Sequence, residues 1–140
     1  MGIATGIGTA LADGHVTASP KGASVYFVNL KDGATVSSPL KINFGLSGMG
    51  IAPAGIKKAG TGHHHLFIDR PPLGKGEDGA DELTNAMPAD DNHKHFGKGQ
   101  TETTITLPPG KHTLQLVLGD HNHVPHVPPV ASKVITITVK

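Results

Sequence analysis

From residue 40 to residue 46 apolar and polar positions alternate one for one: Leu40, Ile42, Phe44 and Leu46 against Lys41, Asn43 and Gly45. A period of two puts the apolar set on one face of an extended chain and scatters it around a helix. Shorter or looser versions recur over residues 23–30, 63–69, 101–107, 111–118 and 133–139, rich in Val, Ile, Leu and Thr. Turn formers separate them, among them Lys31-Asp32-Gly33 and Pro108-Pro109-Gly110. With 19 Gly and 11 Pro in 140 residues, the chain has few stretches in which a long helix survives. The pattern predicts an all-β fold, an immunoglobulin-like antiparallel β-sandwich of about seven strands. Six strands are explicit. The remaining one is expected inside the long loop of residues 70–99, with a short strand or helical turn around 81–87.

Residues 23–140 read as a single β-sandwich domain and 13–22 as a flexible lead-in. Residues 1–12 are small and apolar and end in Ala10-Leu11-Ala12, the small-x-small pattern of a signal-peptidase site. They are expected to be a signal-peptide remnant, which implies a periplasmic or secreted protein. Cleavage after Ala12 would expose Asp13-Gly14-His15, whose amine, amides and imidazole can wrap Cu(II) or Ni(II) in a square plane. No stretch has the ~20 apolar residues of a membrane-spanning helix. The formal charge of +1, without a Lys/Arg cluster, argues against nucleic acid as a partner.

Cysteine is absent and histidine is concentrated: nine of ten imidazoles lie between residues 63 and 126. Side chains two apart on a strand share a face at ~6–7 Å, so a His-x-His pair can lean onto one ion. The chain has three such pairs, His63/His65, His93/His95 and His121/His123, followed by His126. In an immunoglobulin-like sandwich the second, fourth and sixth connections gather at one end. The three groups would therefore meet as loops at one pole. His64 shares its face with Leu66 and Ile68, and reads as a buried histidine bonded to a carbonyl or carboxylate. His112 falls at the opposite pole and reads as structural or solvated. Asp69 and Asp120 are candidate outer partners that fix a ligand tautomer. Met49 and Met87 are thioethers able to assist Cu(I).

Gly62 to Asp69 (GHHHLFID), His95 to Glu102 (HFGKGQTE) and Leu107 to His126 (LPPGKHTLQLVLGDHNHVPH) are similar to a bacterial family of small exported proteins known as a domain of unknown function. The likeness runs from about residue 23 to the end. It implies that His63, His64, His65, His95, His112, His123 and His126 belong to the family pattern, and that His93 and His121 are local additions. At the level of fold alone, the chain also resembles periplasmic copper carriers and copper-zinc superoxide dismutases.

These readings converge on an exported metal-binding protein that buffers or carries copper, with zinc or nickel as alternatives. His63, His65, His95, His123 and His126 are the expected ligands; His64, His93 and His121 stand behind them. A further periplasmic metal-handling protein is the natural partner; the oligomeric state is open. A metalloenzyme with a His-ligated copper or zinc centre, redox or hydrolytic, is the first alternative. There Asp69, Asp120 or Glu102 would serve as acid or base. A structural or interaction module without specific metal is the second.

Overall fold

The computed structural model describes residues 16–77 and 79–140. The Ala10-Leu11-Ala12 and Asp13-Gly14-His15 motifs lie outside the described residues. Among the described residues there are nine strands and one short helix: β1 (Ser24–Phe27), β2 (Thr35–Val36), β3 (Leu40–Ser47), β4 (Gly50–Ile51), β5 (Thr61–Ile68), α1 (Asp81–Thr84), β6 (His93–His95), β7 (Glu102–Ile105), β8 (Gly110–Gly119) and β9 (Ile135–Val139). They form a three-stranded sheet, β1-β3-β7, and a six-stranded sheet, β2-β9-β8-β5-β4, in which β6 also pairs with β5.

Alternation accounts for the core. Leu40, Ile42 and Phe44 from the small sheet meet Leu66, Ile68, Leu114, Leu116, Leu118, Ile135, Ile137 and Val139 from the large one. Leu116 and Ile137 are fully buried, so truncating either to Ala removes contacts worth about 2–5 kcal/mol. Two-residue strands β2 and β4 lie parallel to β9 and β5, an addition to the all-antiparallel, seven-strand expectation. The helical turn expected around 81–87 is α1. Among the described residues, no helix is long and apolar enough to cross a membrane.

Two features place the site. First, β5 and the Leu114–Gly119 half of β8 are buried on both faces. Their second face is covered by a smaller apolar cluster of Phe67, Leu73, Met87 and Val117, with Leu83 and Ala131 packed against it. The connection from β5 to β6, which contributes Leu73, Leu83 and Met87, folds back over the sheet. That covering is why β5 is buried from Gly62 through Ile68.

Second, the strand inside the long loop is not where it was expected. His93 and His95, placed by sequence in a loop at one pole, form β6 on the edge of β5, with His65 opposite His95 and Phe67 opposite His93. The chain is tied there by Asn92, whose Nδ2 donates to the Ile68 carbonyl, and by the Ile68 amide donating to the Asn92 carbonyl. Backbone pairing, absent from any local periodicity, decides the position.

Candidate metal centre

Alternation along β5 turns Gly62, His64, Leu66 and Ile68 toward the main core and His63, His65 and Phe67 toward the covered outer face. On that outer face β8 places Gly119 opposite His63 and Val117 opposite His65. β6 adds His95 beside His65.

The fourth imidazole arrives from the turn after β8. The Asp120 carboxylate accepts the amides of Asn122 (2.8 Å) and Val124 (3.0 Å) and the Thr17 hydroxyl (2.7 Å). The His123 amide donates to the Asp120 carbonyl, and the His123 carbonyl accepts the Met87 amide at 2.8 Å. His123 has φ 66°, a left-handed conformation that costs a residue with a β-carbon roughly 1–2 kcal/mol. The hydrogen bonds of the turn hold it there, with its ring beside His63.

Among the described residues, His63, His65 and His123 bring one nitrogen each to within 4.8 Å of one another. His65 Nε2 and His63 Nε2 are 2.9 Å apart, and His63 Nε2 and His123 Nδ1 are 3.0 Å apart. A neutral imidazole has one N–H and one lone pair. If His63 Nε2 carries the proton, it can donate to only one of its two neighbours. If it carries the lone pair, that single pair faces two donors. A cation resolves the conflict by taking a lone pair from each ring. Two nitrogens at ~2.0–2.1 Å from one ion lie roughly 2.9–3.4 Å apart at angles between square and tetrahedral, which brackets both separations.

The rings are in the state that ligation needs. Burial, reinforced by the charges of His123 and His95, lowers the His63 pKa to about 4. Burial lowers that of His65 to about 2, with His63, His123 and His95 adding to it. His123 is lowered by burial and then by His95, against an opposing pull from Asp120. All three are therefore neutral at pH 7. His95 is exposed, its ring centroid 5.0 Å from that of His123 and 5.9 Å from that of His65, on the solvent side of the group.

Two glycines make the space. A β-carbon on Gly119 would lie 2.6 Å from His65 Nε2, and one on Gly97 would lie 3.2 Å from His95 Cδ2. Sequence reasoning passed over both; the one available signal was a glycine ending the alternating run of β8. Gly119→Ala is expected to push the His65 ring aside and weaken ion binding by more than about tenfold (about 1.4 kcal/mol). The check is a competition titration against a chelator.

The other nominated residues lie elsewhere. His126 is not part of the group. Its Nε2 donates to the Thr61 carbonyl at 3.2 Å, and its Cε1 is 2.9 Å from where a Gly62 β-carbon would point. Gly62 faces the core side of β5, so the sheet separates His126 from His63 and His65. His64 is buried as expected, its ring 4.9 Å from that of Phe44, but neither nitrogen has a hydrogen-bond partner, contrary to the expected carbonyl or carboxylate. His93 donates to Asp90 Oδ1 at 2.8 Å and packs edge-on to Phe67, two cross-strand pairs beyond His95. His121 contacts the side chain of its neighbour Asn122.

Asp69 does not support the group either. It accepts from His112 Nδ1 (2.8 Å) and from the Thr113 amide (3.0 Å). His112 Nε2 faces the Pro108 carbonyl at 2.8 Å. Both partners of His112 are acceptors, so satisfying both places a proton on each nitrogen; its pKa is raised, chiefly by the bond to Asp69. Both ring nitrogens of His112 are thus tied into the fold, away from the ion-binding group. Among the described residues Asp120 bonds no imidazole; it shapes the turn that carries His123. Met49 packs against the main core.

The model of a domain of unknown function, DUF4399, matches residues 42–140, which include every histidine of the group. The chain belongs to the DUF4399 family. No curated protein and no solved structure matches the chain. The chemistry of this DUF4399 chain is therefore argued from its side chains.

Proposed function

We propose that this protein binds a transition-metal ion through His63, His65 and His123, with His95 closing the solvent side, and that it buffers or carries copper in an exported compartment. The observation behind this reading is the pair of short nitrogen–nitrogen contacts around His63 Nε2, which one proton cannot satisfy together. Imidazole without thiolate suits Cu(II), Zn(II) and Ni(II), and for equal ligands the Irving–Williams order favours copper. Export follows from the small-x-small end of residues 1–12 and is tested by amino-terminal sequencing of protein from the periplasmic fraction. The exposed His95 offers an incoming ligand or a partner metal-handling protein an edge at which to exchange the ion.

Elemental analysis of protein purified without a tag tests the reading. The native protein is expected to carry stoichiometric metal and the His63→Ala/His65→Ala protein to carry none. Equal metal in both, or none in either after growth in metal-replete medium, would overturn it.

One observation favours a second reading, a metalloenzyme: three buried or half-buried ligands with an exposed fourth side leave a position for water or substrate. Against it, the nominated acids are engaged elsewhere. Asp69 holds His112, Asp120 caps its turn, and Glu102 pairs with Lys41. Superoxide or ester turnover by the metal-loaded protein separates this reading from a carrier.

A further inference from the structure

Gly119 marks a meeting point of two side chains from different parts of the chain. The position of its missing β-carbon lies 2.6 Å from His65 Nε2 and 3.0 Å from the Met87 methyl carbon Cε. The end of the Met87 side chain and the ligating edge of His65 therefore face each other across a bare backbone. Met87 is 8% exposed. Its amide donates to the His123 carbonyl, so its backbone is fastened to the backbone of one histidine of the group while its side chain reaches the ring of another.

We propose that Met87 supplies a thioether ligand from the buried side of the group and that the site is selective for Cu(I). The proposal rests on the imidazole site argued above and adds the identity and oxidation state of the ion. A thioether is a soft, uncharged donor that favours Cu(I) and gives little to Zn(II). Three neutral imidazoles and one thioether, in a setting that excludes most water, hold a monovalent ion with less charge to desolvate than a divalent one. Methionine has three rotatable bonds, so rotation about the last of them exchanges methyl for sulfur lone pair at the same place without moving the backbone. The packing neighbours Phe67, Leu73 and Val117 anchor the stem of the side chain.

Met87→Leu keeps the volume and apolar character of the side chain and removes only the sulfur. The probes are Cu(I), supplied anaerobically as its acetonitrile complex, and Zn(II), each titrated in competition with a chelator. Met87→Leu is expected to lower Cu(I) affinity by about tenfold or more and to leave Zn(II) affinity within about twofold. X-ray absorption of the Cu(I)-loaded protein should show a sulfur neighbour that is lost in the variant. An unchanged Cu(I) affinity, or equal losses for both ions, would overturn the thioether ligand and leave the imidazole site standing. Native protein that takes up Zn(II) but not Cu(I) would overturn the selectivity in the same way. Native protein that takes up neither ion would instead remove the imidazole site itself, and this proposal with it.

Discussion

Adding Zn(II) or Cu(II) to metal-free protein is expected to raise its melting temperature by roughly 10–20 °C, and the rise should vanish in His63→Ala/His65→Ala. A ligand that binds only the folded state at a thousand times its dissociation constant stabilises by about 4 kcal/mol. For a chain of this length, each kcal/mol is worth roughly 3–5 °C. The folded state is the one that benefits because the group is assembled by tertiary structure. His63 and His65 come from β5, His95 from β6 and His123 from a turn locked by Asp120. In the unfolded chain these nitrogens are separated by tens of residues, and only the His63/His65 pair persists as a weak local site. A calorimetric scan reads the outcome. An equal rise in native and double-variant protein would mean that the ion binds elsewhere, and no rise with Zn(II), Cu(II) or anaerobically supplied Cu(I) would sink the metal reading.

Metal-free protein should lose stability steeply on acidification below pH 6.5, by several kcal/mol between pH 6 and pH 4. His63, His64 and His65 all have folded pKa values below 6.5, chiefly because burial disfavours the charged ring: about 4 for His63 and His64, and about 2 for His65. Above pH 6.5 the rings are neutral in both folded and unfolded states, and their full contribution is present. As pH falls below 6.5 the unfolded chain takes up protons that the folded chain refuses, so the equilibrium shifts toward unfolding. Each such group contributes about 1.4 kcal/mol per pH unit until its folded pKa is reached. Three together consume much of a typical net stability of about 5–15 kcal/mol. His112 runs the other way: its raised pKa gives stability that is present below pH 6.5 and lost as pH rises through the folded value.

His64 isolates the effect, because it lies on the core side of the sheet, away from the ion-binding group. Its two unpartnered nitrogens each carry a desolvation cost of about 1–3 kcal/mol. His64→Leu should therefore be at least as stable as the native protein at pH 7 and should show a shallower acid slope, measured by denaturant titration at several pH values. An unchanged slope would mean that the ring is hydrated or paired in solution.

Several elements were legible in residue order. The alternation of Leu40, Ile42 and Phe44, and of Leu114, Leu116 and Leu118, gave the two facing walls of the core. The division of β5 into a His64/Leu66/Ile68 face and a His63/His65/Phe67 face also followed from period two. The same rule grouped His63 with His65, and the absence of cysteine left imidazole as the strongest donor. These conclusions hold because side-chain direction along a strand depends on the backbone of neighbouring residues alone.

What joined the distant histidines was different in kind. Loops at a common pole were the expected device, whereas the link between His65 and His95 is a strand-to-strand register, and His126 fell behind the sheet. Register between β5 and β6 depends on where a connection of more than twenty residues brings the chain back, and no periodicity crosses such a gap. The burial of His63 and His65 likewise depends on the Leu73, Leu83 and Met87 segment covering the outer face. Residue order set which imidazoles face together on one strand. The folded backbone chose their companions, withheld a β-carbon at Gly119 to admit them, and removed the water that would otherwise satisfy their nitrogens.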